Sequence, residues 1–166
     1  MKLDTKKLAT LSLLVSVAMI LSYIESLVPV FVAVPGVKLG LSNIATVFAL
    51  YTLGVPSAIC VSLVRICLSA LLFGNAVGLI YSLSGAILAL SVMILLKKLR
   101  IFSSVGVSVA GGVAHNLGQV ISAAIMMENA GIVSYFAPLL VSGTLAGVLV
   151  GLASGMLVKR IEKYIK

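Results

Sequence analysis

The chain has 166 residues, 61% of them hydrophobic and 10% charged, with a formal net charge of +8 and a mean hydropathy of +1.28. A soluble domain of this length cannot hide that much apolar surface, so lipid is its expected solvent. The basic residues fall mostly in three clusters, Lys2, Lys6 and Lys7, then Lys97, Lys98 and Arg100, then Lys159, Arg160, Lys163 and Lys166. They border apolar runs with few aromatics among them, which is the pattern of anchors facing anionic lipid on the cytoplasmic side and excludes a nucleic-acid surface.

A spanning helix needs about 20 mostly apolar residues. The first predicted helix covers 8–27; it is long for a secretory signal core and no small-x-small cleavage site follows, so it is read as retained. A loop over 30–40 carries Pro35, Gly36 and Lys38. The second helix, 41–53, is short and is stopped by Gly54 and Pro56; the third covers 57–73, and Gly74-Asn75 makes a turn. The fourth covers 77–96, the fifth 103–127, and after a turn at 128–131 the sixth covers 133–158. Successive basic clusters must be separated by an even number of crossings. Six spans satisfy this with both termini and the loop at Lys97 inside, and with the loops holding Lys38, Asn75 and Glu128 outside. A four-span rival has helix 2 re-entrant and one further segment that does not cross. The expected fold is therefore one all-α transmembrane domain of six helices with both termini cytoplasmic.

Gly143, Gly147, Gly151 and Gly155 repeat every four residues. Residues four apart share a helix face, and glycine there admits a second backbone at close range. The neighbour is either another helix of the bundle or a partner subunit. Helix 1 carries two shorter small-residue faces, Ser12 with Ser16 and Ala18 with Ser22. Cys60 and Cys67, seven apart, lack a CxxC spacing and are read as packing residues.

Outside the basic clusters, the charges that remain beside Asp4 and Glu162 are Glu25, Lys38, Arg65 and Glu128. Arg65 sits near the middle of helix 3, where an arginine costs at least a few kcal/mol unless it faces protein or water. It is thus either a ligand contact or half of a structural ion pair, with Glu25 the obvious partner. Ser62 and Ser69 lie on its face. Helix 5 adds His115 and Gln119 on one face and Asn116 turned by about 100°. With Asn43 and Glu25, these residues predict a polar pocket in the middle and outer half of the bundle, of the kind that lines a substrate site. One histidine without nearby cysteine gives no metal site, and no cofactor is implied. The chain has no GxxxxGK[ST] nucleotide loop, and its single aspartate is Asp4, so neither nucleotide hydrolysis nor metal-assisted diphosphate chemistry is expected. The chain reads as a non-enzyme.

The segment Val34-Pro35-Gly36-Val37-Lys38-Leu39-Gly40-Leu41-Ser42-Asn43-Ile44 resembles a signature of a small bacterial membrane family named both heptaprenyl diphosphate synthase component I and Gx transporter family. Six helices in under 200 residues also resemble the substrate-binding S-components of energy-coupling factor (ECF) transporters. The resemblance implies a vitamin-like ligand in an outward pocket near the loop after helix 1, and a location in the bacterial cytoplasmic membrane. It also implies that small residues on helix 1, typically AxxxA, meet a transmembrane coupling subunit driven by two ATPases. Here the matching face is Ser12/Ser16 or Ala18/Ser22. An anionic head on Arg65 and Lys38 with an apolar body among the helices suits such a ligand.

Three functions are compatible with these features. The first is the ligand-binding subunit of an importer, with Arg65, Lys38, Asn43, His115 and Gln119 on the ligand. The second is a non-catalytic accessory subunit in isoprenoid or quinone metabolism or a membrane redox assembly, docking through the Gly143–Gly155 ladder. The third is an ion-coupled carrier using Glu25 and Glu128, for which the sequence offers no internal repeat.

Overall fold

The computed structural model describes residues 5–27 and 40–165. Six α-helices follow one another: α1 (Thr5–Leu27), α2 (Asn43–Thr52), α3 (Val55–Phe73), α4 (Ala76–Leu99), α5 (Ser104–Met126) and α6 (Phe136–Ile165), with a 3-10 turn over Ala130–Tyr135. Five of them are long and apolar enough to cross a bilayer. Their outward faces hold large apolar side chains such as Leu13, Leu71, Ile87, Ile125 and Leu145, which in water would be a liability and in lipid is the correct surface. The protein is a multi-pass membrane protein.

The exception is α2. Its 10 residues extend about 15 Å, half of a hydrocarbon core. Yet α1 and α3 run parallel. Tyr23 meets Phe73 edge-on at 5.8 Å near the C-terminal ends of both helices, and Leu8, Ser12 and Ser16 share a groove with Pro56, Cys60 and Val64 near both N-terminal ends. α1 therefore ends, and α3 begins, at opposite ends of this pair, and α2 is the described helix between those two points. Short connections then make α3 through α6 alternate in direction. The N-terminal end of α1, the 97–100 turn and the C-terminal end of α6 then lie at one end of the bundle.

Boundaries shift from those expected for identifiable reasons. α3 starts before Pro56 because proline is well suited to a first turn. α4 runs through Lys97 and Lys98 to a left-handed cap at Arg100, φ 57°. α6 begins later than residue 133, after the 3-10 turn, and continues through the basic tail. Both ends of α2 are tied to neighbours. At its C-terminal end the Gly54 N–H turns back to the Ala49 carbonyl, and the Leu50 carbonyl accepts from Lys97 Nζ, which also stands 4.9 Å from the Tyr51 ring centroid.

The C-terminal three helices pack through glycine. A Cβ on Gly147 would lie 2.5 Å from Val109 Cα, one on Gly151 2.7 Å from Val105 Cα, and one on Gly112 2.5 Å from the Gly143 carbonyl. The ladder on α6 is thus filled by α5. On its other side α5 meets α4, where a Cβ on Gly118 would be 2.7 Å from the Ser84 carbonyl. Of the two α1 faces, Ala18 and Ser22 are buried while Ser12 and Ser16 are exposed.

Gly→Ala in an unencumbered helix stabilises by roughly 0.5–1 kcal/mol, so the ladder gives a sign test. Gly147→Ala is expected to lower the thermal midpoint of the detergent-solubilised protein, with a cost of about 1–3 kcal/mol from backbone displacement. Gly155→Ala, whose Cβ meets only Ser104 Oγ at 3.1 Å, is expected to leave the midpoint unchanged or raise it.

Candidate functional site

Arg65 is the tenth residue after Val55, so it sits about 15 Å along α3. A guanidinium at that depth needs hydrogen-bond acceptors supplied by protein. The start of α2 supplies them: Arg65 Nη1 donates to Ser42 Oγ at 2.7 Å and Nη2 reaches Asn43 Oδ1 at 3.5 Å. Ser42 sits at the N-cap of α2 but makes no side-chain cap bond; its hydroxyl serves the arginine instead. The turn into α2 is set by Gly40, which has φ +69° and whose carbonyl accepts from Asn43 N–H at 2.8 Å. A side chain at Gly40 would be strained by that φ and would press on Asn43 Nδ2 at 3.1 Å. The Gly40 N–H donates to Glu25 Oε1, and the Glu25 carboxylate also acts electrostatically on Arg65. Thus α1, the start of α2 and α3 meet in one polar network.

This network forms one wall of a cavity of about 150 Å³ among all six helices. Glu25, Asn43, Arg65, His115, Asn116 and Gln119 all line it. So does Ser22, from the buried α1 face, and so do Gly143 and Gly147 at the upper part of the α6 ladder. Lys38 and the 34–39 part of the signature lie outside the described residues. Leu90, Met93 and Val150 close the cavity at depth, and Phe73, Gly74 and Asn75 border it at the helix ends.

The three polar residues of α5 divide their work. Asn116 is buried and donates from Nδ2 to the Leu139 carbonyl at 2.7 Å, fastening α5 to the first turn of α6. His115 lies against α4, where Gly85 makes room: a Cβ on Gly85 would be 2.8 Å from His115 Cε1. Gln119 stands one turn above His115 on the same face.

Two residues not singled out from sequence, Ser42 and Thr46, complete the wall. Ser42 carries the shortest arginine contact, while Thr46 Oγ1, Ser22 Oγ and Arg65 Nε are buried and find no hydrogen-bond partner among the described residues. Serine and threonine are common in membrane helices, where they bond their own backbone, so only placement distinguishes these. Among the described residues no group of three or more His, Cys, Asp or Glu side chains could hold a metal ion.

The family model described as heptaprenyl diphosphate synthase component I matches residues 14–157, a span containing every described residue that lines the cavity. The chain belongs to that family. No curated protein sequence matches it. Among solved structures it is similar to the S component of a bacterial ECF transporter, with TM-score 0.76 and 20% identity, covering 97% of this chain and 98% of that one. At that identity the likeness concerns the fold: this member of the heptaprenyl diphosphate synthase component I family is folded as an ECF S component is.

Removing the Ser42 hydroxyl leaves a guanidinium N–H without its acceptor, a loss of about 1.5–3 kcal/mol for a bond to a charged group. Ser42→Ala is therefore expected to lower the thermal midpoint clearly, and Gly40→Ala to do so as well through its φ; Ser91→Ala, on the exposed face of α4, is the control expected to do neither.

Proposed function

We propose that the protein is the substrate-binding membrane subunit of a small-molecule importer of ECF type, in the bacterial cytoplasmic membrane with both termini inside. The observation that carries this reading is the polar cavity at membrane depth, ringed by all six helices, in a chain whose fold matches an S component over nearly its full length. Polar groups are expensive in the bilayer and persist where they line a pathway or a site. The chain has one aspartate, Asp4, and no nucleotide-binding loop, which supports a non-catalytic subunit whose energy comes from a separate coupling subunit and its ATPases. On α1 the exposed Ser12 and Ser16 border an apolar groove against α3, which supports that face, rather than Ala18 and Ser22, as the one a coupling subunit meets.

The family description favours a second reading, a non-catalytic accessory component of prenyl diphosphate synthesis. The docking face that reading relied on, the α6 glycine ladder, is occupied by α5, so it has the weaker support.

Mass spectrometry of small molecules retained by gently extracted protein separates the two. A binding subunit is expected to retain one molecule near unit stoichiometry and to lose it in a folded Gln119→Ala variant. Ser12→Leu with Ser16→Leu is expected to keep that molecule and lose co-purification of the coupling subunit and ATPases. A protein that retains nothing and co-purifies with a prenyl diphosphate synthase would overturn the importer reading.

A further inference from the structure

The charge of the cavity limits what it can hold. Among the described residues that line it, Arg65 is the one permanent cation and Glu25 the one carboxylate. Both are engaged with the start of α2, Arg65 through Ser42 and Asn43 and Glu25 through the Gly40 N–H, and Glu25 acts electrostatically on Arg65. The described lining therefore sums to zero before any ligand arrives. The remaining polar surface is imidazole, amide and hydroxyl, from His115, Gln119, Ser22 and Thr46 among others, above an apolar floor at Leu90 and Met93. Phe73, at the helix ends, is the one Phe, Tyr or Trp side chain among the described lining residues, so ring stacking contributes little.

Bringing a diphosphate, or a carboxylate without its own counter-charge, into a low-dielectric space of zero net charge leaves that charge uncompensated. Such uncompensated charge is strongly disfavoured at membrane depth. The described cavity, about 150 Å³, is close in size to an engineered cavity that holds a benzene ring. Two hydroxyls, Ser22 Oγ and Thr46 Oγ1, stand buried beside it with no hydrogen-bond partner among the described residues, as does Arg65 Nε. Such atoms are costly in a membrane core until something meets them.

We infer that the cavity takes a small, hydrogen-bonding solute of zero net charge, neutral or zwitterionic, held by His115, Gln119 and the Ser22 and Thr46 hydroxyls, with the Arg65–Glu25 pair positioning α2 rather than neutralising an anion. This rests on the substrate-binding reading and replaces the anionic ligand that Arg65 suggests in the sequence.

The test uses the full-length protein in lipid nanodiscs. The retained molecule is identified by mass spectrometry, and its affinity is measured at about 50 and about 500 mM NaCl, conditions that separate screened from unscreened charge attraction. The expected result is a molecule of zero net charge at neutral pH, with affinity changing less than about twofold with salt. Lys38→Ala is expected to bind equally well, and Gln119→Ala about tenfold more weakly or worse. Geranyl diphosphate is expected to leave the thermal midpoint where it was. An anionic retained molecule, loss of binding in Lys38→Ala, or stabilisation by geranyl diphosphate would overturn the charge assignment while leaving the binding-subunit reading intact. Retention of no molecule at all would overturn both.

Discussion

Arg65 has to be kept in the bilayer with hydrogen-bond acceptors around it, and much of the N-terminal half is arranged to do so. Its acceptors are a hydroxyl and an amide at the first turn of α2, so that helix must begin at the depth where the guanidinium lies. A helix beginning there is short. The backbone that enters α2 at Gly40 therefore lies at that depth too, which a membrane tolerates only where protein shields it. Gly40 turns that backbone, and Glu25 on α1 takes up its N–H. The short helix, the turn at Gly40 and the buried carboxylate thus follow from one charge.

The C-terminal half solves a different problem. Without a hydrophobic driving force between helices in lipid, close approach of backbones does the holding, and α5 is held by glycine on both sides. Asn116 adds a polar fastening to α6. The cavity lies where this tightly packed three-helix unit meets the looser arrangement of α1, α2 and α3, and its wall is polar on both sides because each half contributes the polar residues that hold its own helices.

How much of this could be read from the residues alone follows from what periodicity encodes. Apolar runs placed the helices, because lipid exposure acts on every residue of a span. Arg65 was legible because its cost in that position is large. Helical spacing states which residues share a face but not what that face meets. So the two small-residue faces of α1 could not be told apart, the neighbour of the α6 ladder stayed open, and Asn116 could not be separated from His115 and Gln119 as the helix fastener. Ser42 was visible only as part of a family signature, since nothing about a serine announces an arginine 23 residues away.

The short α2 has a mechanical consequence. One end is bonded to a cation on α3 and the other to a cation on α4, and between them the helix is a rod of about 15 Å with its inner residues buried. A rod fastened to two different neighbours cannot slide past either one independently. Any tilt of α4 at Lys97 is delivered to the cavity wall at Ser42 as a displacement along the rod, and any shift of the wall is delivered back. The basic side of the molecule and its polar interior are in this way joined by a strut.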